Sequence, residues 1–136
     1  GQKVEELIAR AREQTFSNTA MTLTIALNYG GRWDLTNAVR ELATACEERR
    51  MTASDIDESI LSQALSTGNL PDPDLFIRTG GEIRLSNFLL WQLAYTELFF
   101  TDSLWPDFSE EHFEQALDAY QRRQRRFGQT GDQVTT

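Results

Sequence analysis

The sequence of 136 residues contains a single cysteine, Cys46, and a single histidine, His112. One cysteine cannot form an internal disulfide, and Cys46 has no cysteine or histidine neighbours at the spacing of a metal site. These shortages argue against a disulfide-stapled scaffold and against a zinc centre. An unpaired cysteine is typical of proteins from a reducing compartment, so we expect a cytoplasmic location.

Basic residues are also in short supply. The sequence contains 13 Lys and Arg residues and 21 Asp and Glu residues, which gives a net charge of −8. A nucleic-acid surface needs a basic face that displaces counterions, so we expect no nucleic-acid partner. Any phosphate site must depend on a local group of cations.

Long apolar runs are missing as well. None approaches the roughly 18 residues that a membrane-spanning helix needs, and the N-terminal segment is amphipathic and charged, unlike a signal peptide. The chain begins with a predicted helix, and no predicted strand precedes it. We therefore expect it to be a fragment of a longer protein.

Hydrophobic periodicity predicts alternating strands and helices. Asp34, Ser54, Ser86 and Ser109 are the predicted helix caps. The predicted helices span residues 3–14, 35–50, 55–66, 87–95 and 109 to about 126. The predicted strands span residues 21–31, the last part of which is a loop, 75–77 and 98–100. This order indicates the α/β class, a parallel sheet flanked by helices, as one domain over residues 1–128 with a polar, disordered tail at 129–136.

Two unusual loops follow predicted strands, at residues 28–32 and 78–81. Ligands of α/β sheets bind at the carboxyl ends of the strands, so we expect both loops, with Asn28, to converge on a ligand. Arg78 and Arg84 offer forked donors to phosphate oxygens, and a helix start at Ser86 would offer free N–H groups. The alternative is that the arginines pair with nearby acids and the glycines only shape a turn. Those acids are Asp72, Asp74 and Glu82.

Other polar residues permit two interpretations each. Ser86 is a helix cap that could also touch phosphate. Glu97 is either a solvated turn residue or a metal ligand near the phosphates. Arg126 belongs to a basic run at the end of the last predicted helix, where cations complement the helix dipole.

The segments "PDLFIRTGGEIRLSNFLLWQLAYTELFFTDSLWPDF" and "ALNYGGRWDL" closely resemble the cis-prenyltransferases, most of all the bacterial undecaprenyl diphosphate synthases. The resemblance runs from about residue 16 to 128. It implies a homodimeric, Mg²⁺-dependent enzyme that adds isopentenyl diphosphate units to farnesyl diphosphate. Such an enzyme makes a long-chain cis-polyprenyl diphosphate, the lipid carrier for cell-wall synthesis, and peripheral membrane contact would come through its product.

Carried over by this resemblance, Arg78, Arg84 and Ser86 hold the diphosphate of isopentenyl diphosphate. Glu97 matches a position implicated in binding magnesium. Arg126 and Gly128 match an Arg-x-Gly signature that reaches the substrate of the partner subunit.

The family's N-terminal Asp-Gly-Asn-x-Arg-Trp segment, with its catalytic aspartate, does not occur in these 136 residues. Residues 30–33 belong to a different element and should not take its role. The resemblance therefore implies the C-terminal half of the enzyme, inactive alone, with no assignable catalytic residue. Two alternatives are a non-catalytic subunit of a two-component cis-prenyltransferase and a stand-alone anion-binding module.

Overall fold

The computed structural model describes residues 2–122, which form four α-helices and two β-strands. In chain order the elements are α1 (Gln2–Thr15), α2 (Gly31–Glu47), α3 (Glu58–Ala64), β1 (Leu75–Arg78), β2 (Glu97–Phe100) and α4 (Glu110–Gln121). Single 3₁₀ turns lie at Ala53–Asp55 and Trp105–Asp107. No helix in the described part of the chain is long and apolar enough to cross a bilayer.

The two strands pair in parallel, which confirms the predicted α/β class. Leu75 lies opposite Glu97, and Arg78 lies opposite Phe100. A further bond from the Thr101 amide to the Arg78 carbonyl oxygen, 2.9 Å long, extends the ladder beyond the strand ends. The carboxyl ends of both strands therefore meet at one edge of the sheet, and Arg78 lies on that edge.

Small side chains dominate the buried core. Helix α2 packs on α3, and α4 packs on β2. The buried apolar residues are Ala38, Ala45, Leu65, Leu93 and Ala116. Two polar residues, Asp34 and Gln92, are buried with them.

The strand predicted at residues 21–31 is wrong. Residues 21–26 belong to no strand in the described part of the chain, and α2 begins already at Gly31. The alternating apolar side chains of this segment are each at least 66% exposed: Met21, Leu23, Ile25 and Leu27. Alternation is a local signal, whereas a strand needs a neighbour that pairs with its backbone.

The helix predicted at residues 87–95 is also wrong, because this segment forms a series of turns. Ser86 and Asn87 have φ angles of 48° and 61°, in the left-handed region that a right-handed helix start excludes. Short-range bonds follow, such as the one from the Phe88 amide to the Leu85 carbonyl oxygen, 3.1 Å long. Ser86 is therefore not a helix cap.

Two further caps differ from the prediction. Helix α2 begins at Gly31, so Asp34 lies inside its first turn, and the helix ends at Glu47. Asp57 rather than Ser54 caps the helix that follows, and its carboxylate accepts a 2.8 Å bond from the Ile60 amide. Both helices begin where a residue in extended conformation precedes the first turn, a feature that the sequence pattern does not fix.

Helix α4 has its predicted cap at Ser109. The Ser109 amide donates a 3.1 Å bond to Nδ1 of His112, which ties the cap to the first turn. The predicted end of this helix near residue 126 lies outside the described residues. So do Arg126, Gly128 and the predicted tail at 129–136.

Candidate anion-binding site

Arg78 ends β1 and organises the loop that follows. Its Nη1 donates a 2.7 Å bond to the Ser86 hydroxyl and a second bond to the Arg84 carbonyl oxygen. Its side chain is only 21% exposed. The structure thus brings the three predicted diphosphate ligands together at the carboxyl edge of the sheet, because Arg78 folds residues 79–86 back over the strand end.

Arg84 lies at the outer side of this loop, with its side chain 67% exposed. Its Nε and Nη2 both contact one oxygen of the Glu82 carboxylate. Nη2 of Arg78 lies 3.6 Å from the same oxygen. One carboxylate therefore pairs with both arginines, as the ion-pair alternative predicted for Glu82. The two guanidinium groups are close enough to share a single anionic group.

Gly80 and Gly81 shape the turn. Their φ angles are 88° and 75°, which L side chains rarely adopt. The Gly80 amide donates to the Ser103 carbonyl oxygen at 2.8 Å, and the Gly81 amide donates to the Thr101 carbonyl oxygen at 3.0 Å. These amides are engaged with the segment after β2, so the glycine backbone of the loop offers no free donor at these two positions.

Asn87, which follows Ser86 in the chain, connects residues 28–32 with the segment that carries Arg84 and Ser86. The Asn87 carbonyl oxygen accepts a 2.7 Å bond from the Gly31 amide, and its side-chain Oδ1 accepts a 2.9 Å bond from the Arg32 amide. Asn87 thus caps the start of α2 from 55 residues away. The convergence of the loops at residues 28–32 and 78–81 on a ligand stays a prediction. The predicted anion-binding helix start at Ser86 was wrong, since the nearest helix start donates to Asn87 instead.

Close backbone packing holds this junction. A Cβ on Gly31 would lie 2.7 Å from Cγ of Leu90 and 3.0 Å from the Phe88 carbonyl oxygen. Glycine therefore lets α2 approach the turns at residues 88–90. Asn28, the other residue predicted here, is exposed and has a left-handed φ of 55°.

Asp34 anchors the same loop from inside the protein and is only 2% exposed. Its Oδ1 accepts bonds from the Ser66 amide at 2.9 Å and the Ser66 hydroxyl at 2.6 Å, and its Oδ2 accepts a 2.8 Å bond from the Tyr29 hydroxyl. Burial alone would raise the pKa of Asp34. The hydrogen bonds from Ser66, Tyr29 and Gln92 outweigh burial and hold that pKa below its ordinary value.

The same contacts act in the opposite direction on Tyr29. Burial, and then the hydrogen bond to the Asp34 carboxylate, raise the pKa of the Tyr29 phenol to about 12. Sequence reasoning missed this network because it took Asp34 for a cap. The sequence did contain one indication, the helical spacing that places Asp34 on the same face as small residues. The structure shows this face to be the buried one: Gly31, Asp34, Ala38 and Ala45.

Glu97 lies away from the arginines. It opens β2 opposite Leu75, three residues before Arg78 in the register, which is about 10 Å along the strands. Within residues 2–122 no three His, Cys, Asp or Glu side chains gather in a way that could hold a metal ion. Glu97 as a magnesium ligand therefore stays a prediction.

These features define an α/β protein in which two arginines and a hydroxyl gather at the carboxyl end of a parallel strand. Residues 1–128 match the prenyltransferase family described as "Putative undecaprenyl diphosphate synthase". The chain belongs to this family, which confirms the resemblance seen in the sequence.

Similar proteins carry related names. The isoprenyl transferase of Porphyromonas gingivalis is 49% identical over 131 residues, which are 96% of this chain and 52% of that protein. The (2E,6E)-farnesyl-diphosphate-specific ditrans,polycis-undecaprenyl-diphosphate synthase of Escherichia coli strain K12 is 51% identical over 134 residues, 97% of this chain and 53% of that protein. The chain spans about half the length of the curated relatives it matches.

Solved structures agree with this assignment. The lavandulyl diphosphate synthase of Lavandula x intermedia, in complex with dimethylallyl diphosphate, superposes with a TM-score of 0.87 at 42% identity, covering 95% of this chain and 56% of that chain. A probable undecaprenyl diphosphate synthase from Campylobacter jejuni gives a TM-score of 0.75 at 32% identity and covers 95% and 58%. Both support the α/β class.

Proposed function

We propose that this chain carries the isopentenyl diphosphate site of a cis-prenyltransferase. The full-length protein would condense isopentenyl diphosphate with farnesyl diphosphate and extend the product to undecaprenyl diphosphate. One observation carries the proposal: Arg78 and Arg84 share a single carboxylate beside the Ser86 hydroxyl at the end of β1. A phosphoryl group that replaced this carboxylate would meet charge-assisted donors from both arginines.

The family's reaction defines what this site must do. The C–O bond of the allylic diphosphate breaks, the double bond of isopentenyl diphosphate forms a C–C bond to the allylic carbon, and a proton leaves the new chain. Arg78, Arg84 and Ser86 would hold the diphosphate of the attacking alkene. Fixing that end converts a bimolecular encounter into an oriented one and offsets the negative charge.

The names of the relatives support the substrate class. The Escherichia coli relative is named for farnesyl diphosphate and for undecaprenyl diphosphate, and the lavender enzyme was solved with dimethylallyl diphosphate. All three compounds are prenyl diphosphates. We assign farnesyl diphosphate and the undecaprenyl product to this protein because the bacterial relatives share about half of its residues.

Magnesium and the second subunit belong to the same proposal. Bound Mg²⁺ would offset diphosphate charge as a Lewis acid, with Glu97 as its proposed ligand. Within residues 2–122 Glu97 is the one ligand that we propose for the metal, so we assign no step to it. A homodimer would let Arg126 and Gly128 reach the partner's substrate. Asn28 would contribute to substrate binding. A cytoplasmic enzyme with peripheral membrane contact would suit a lipid product.

Kinetics of the Arg78→Ala variant in the full-length protein test the proposal. Loss of charge-assisted bonds to the diphosphate should raise KM for isopentenyl diphosphate by roughly 10- to 100-fold and leave KM for farnesyl diphosphate nearly unchanged. Arg50→Ala is the control, since Arg50 makes an exposed pair with Glu48 far along the chain. An unchanged KM for isopentenyl diphosphate would remove Arg78 from the site and favour the non-catalytic subunit.

A further inference from the structure

Glu82 holds the position that a ligand phosphoryl group would need. One of its carboxylate oxygens contacts Nε and Nη2 of Arg84 and lies 3.6 Å from Nη2 of Arg78. Guanidinium donors that point at this carboxylate are not free for a second anion on the same side. The carboxylate and a phosphate therefore compete for the same arginine face.

We propose that Glu82 is an internal competitor that sets the affinity of the arginine pair for anions. In the ligand-free protein its carboxylate pairs with Arg78 and Arg84, and a diphosphate group binds only after displacing it. Glu82 is thereby an affinity-setting residue for the site described above. This inference rests on the proposed function, because it takes the arginine pair to be the diphosphate site.

The geometry permits release of the carboxylate. The Glu82 side chain is 42% exposed, so it can rotate into solvent by side-chain torsions. The neighbouring Ile83 is 81% exposed, so no packed core covers this part of the loop. Arg78 stays in place when the carboxylate leaves, because it also donates to Ser86 and to the Arg84 carbonyl oxygen. Arg78 is therefore already positioned for the incoming anion.

The size of the effect follows from the exposure of the pair. Exposed ion pairs of this kind favour the paired state by a factor of about 1.4 to 5. A site that is competent only in the unpaired state has its apparent affinity reduced by the competent fraction. Removing the competitor should therefore tighten anion binding by about two- to sixfold.

Calorimetric titration of the full-length protein with inorganic diphosphate tests the inference, using wild type, Glu82→Gln and Glu48→Gln. Glutamine keeps the shape of the side chain and removes its charge. Glu48 is a matched control, because it also pairs with an arginine two residues later, through Nε of Arg50 at 2.7 Å, and is similarly exposed at 55%. Both substitutions remove one negative charge from the same protein, so a general effect of net charge would appear equally in both.

We expect the dissociation constant for diphosphate to fall by about two- to sixfold in Glu82→Gln and to stay unchanged in Glu48→Gln. The affinity of Glu82→Gln for inorganic phosphate should rise by the same factor, because an internal competitor acts on the free site whichever anion binds. Unchanged or weaker diphosphate binding by Glu82→Gln would overturn the inference, as would an equal gain in both variants. Failure of the wild type to bind diphosphate would instead refute the proposed diphosphate site itself.

Discussion

Replacement of the buried carboxylate of Asp34 by the methyl group of alanine should destabilise the protein strongly. Asp34 accepts two bonds from Ser66 and one from Tyr29 at a site that is 2% exposed. Alanine leaves the Ser66 amide and hydroxyl and the Tyr29 hydroxyl without this acceptor. At about 1 to 3 kcal/mol for each buried donor left unsatisfied, with partial relief by water, the expected loss is about 3 to 5 kcal/mol.

Urea unfolding of the full-length protein measures this loss. Asp34→Asn should lose less, about 1 to 2 kcal/mol, because the amide oxygen can keep the Ser66 bonds and the Tyr29 hydroxyl can accept from the amide nitrogen. Asp118→Ala on α4 is the control, since the ion pair of Asp118 with Arg122 is exposed and 3.7 Å long, and its loss should change stability by under about 1 kcal/mol. Equal losses in Asp34→Ala and Asp118→Ala would refute the claim that Asp34 anchors the loop.

Two further predictions concern the same region. The pKa of Asp34 is lowered in the folded state, so its contribution to stability is present above pH 3.8 and is lost as pH falls through the folded pKa. The pKa of Tyr29 is raised to about 12, so its contribution is present below pH 10.0 and is lost as pH rises towards 12. Unfolding measured against pH in wild type and Asp34→Asn should show a smaller acid loss in the variant, and parallel profiles would contradict the assignment. Gly31→Ala should lower the free energy of unfolding by about 1 to 3 kcal/mol in thermal unfolding, because its Cβ would lie 2.7 Å from Cγ of Leu90. Gly80→Ala is the comparison, since its Cβ meets no atom within 4 Å and strains only a left-handed backbone. A greater loss of stability in Gly80→Ala would contradict the claim that steric crowding at Gly31 is limiting.

The sequence was sufficient where the structure is local. Continuous apolar runs predicted β1 and β2, and the arginine spacing with its glycines predicted the loop that closes over the end of β1. Hydrophobic spacing also located α1, α2 and α4 within a few residues. For the helices the deciding interactions lie within a few positions of the residue concerned, whereas β1 and β2 were recognisable because short apolar runs are typical of buried strands.

Tertiary contacts decided the features that the sequence did not reveal. The helix expected after Ser86 is replaced by turns, because Asn87 adopts a left-handed backbone and bonds to Gly31 and Arg32 in a distant loop. Asp34 resembles a cap locally, yet its partner Ser66 lies 32 residues away. The alternating segment at residues 21–27 shows the same limit, since pairing depends on a neighbouring strand.

The position of Glu97 relative to Arg78 is a further feature that the sequence did not reveal. Arg78 and Glu97 both border short apolar strands, but the parallel register puts Arg78 at the end of β1 and Glu97 at the start of β2. The sequence positions alone do not reveal which edge of the sheet each residue occupies.

A crystal structure of the full-length protein with isopentenyl diphosphate tests the central claim most directly. We predict that diphosphate oxygens lie within hydrogen-bond distance of Arg78, Arg84 and Ser86, and that the Glu82 carboxylate has turned away from both arginines. Diphosphate bound elsewhere, with Glu82 still paired to Arg78 and Arg84, would contradict the account.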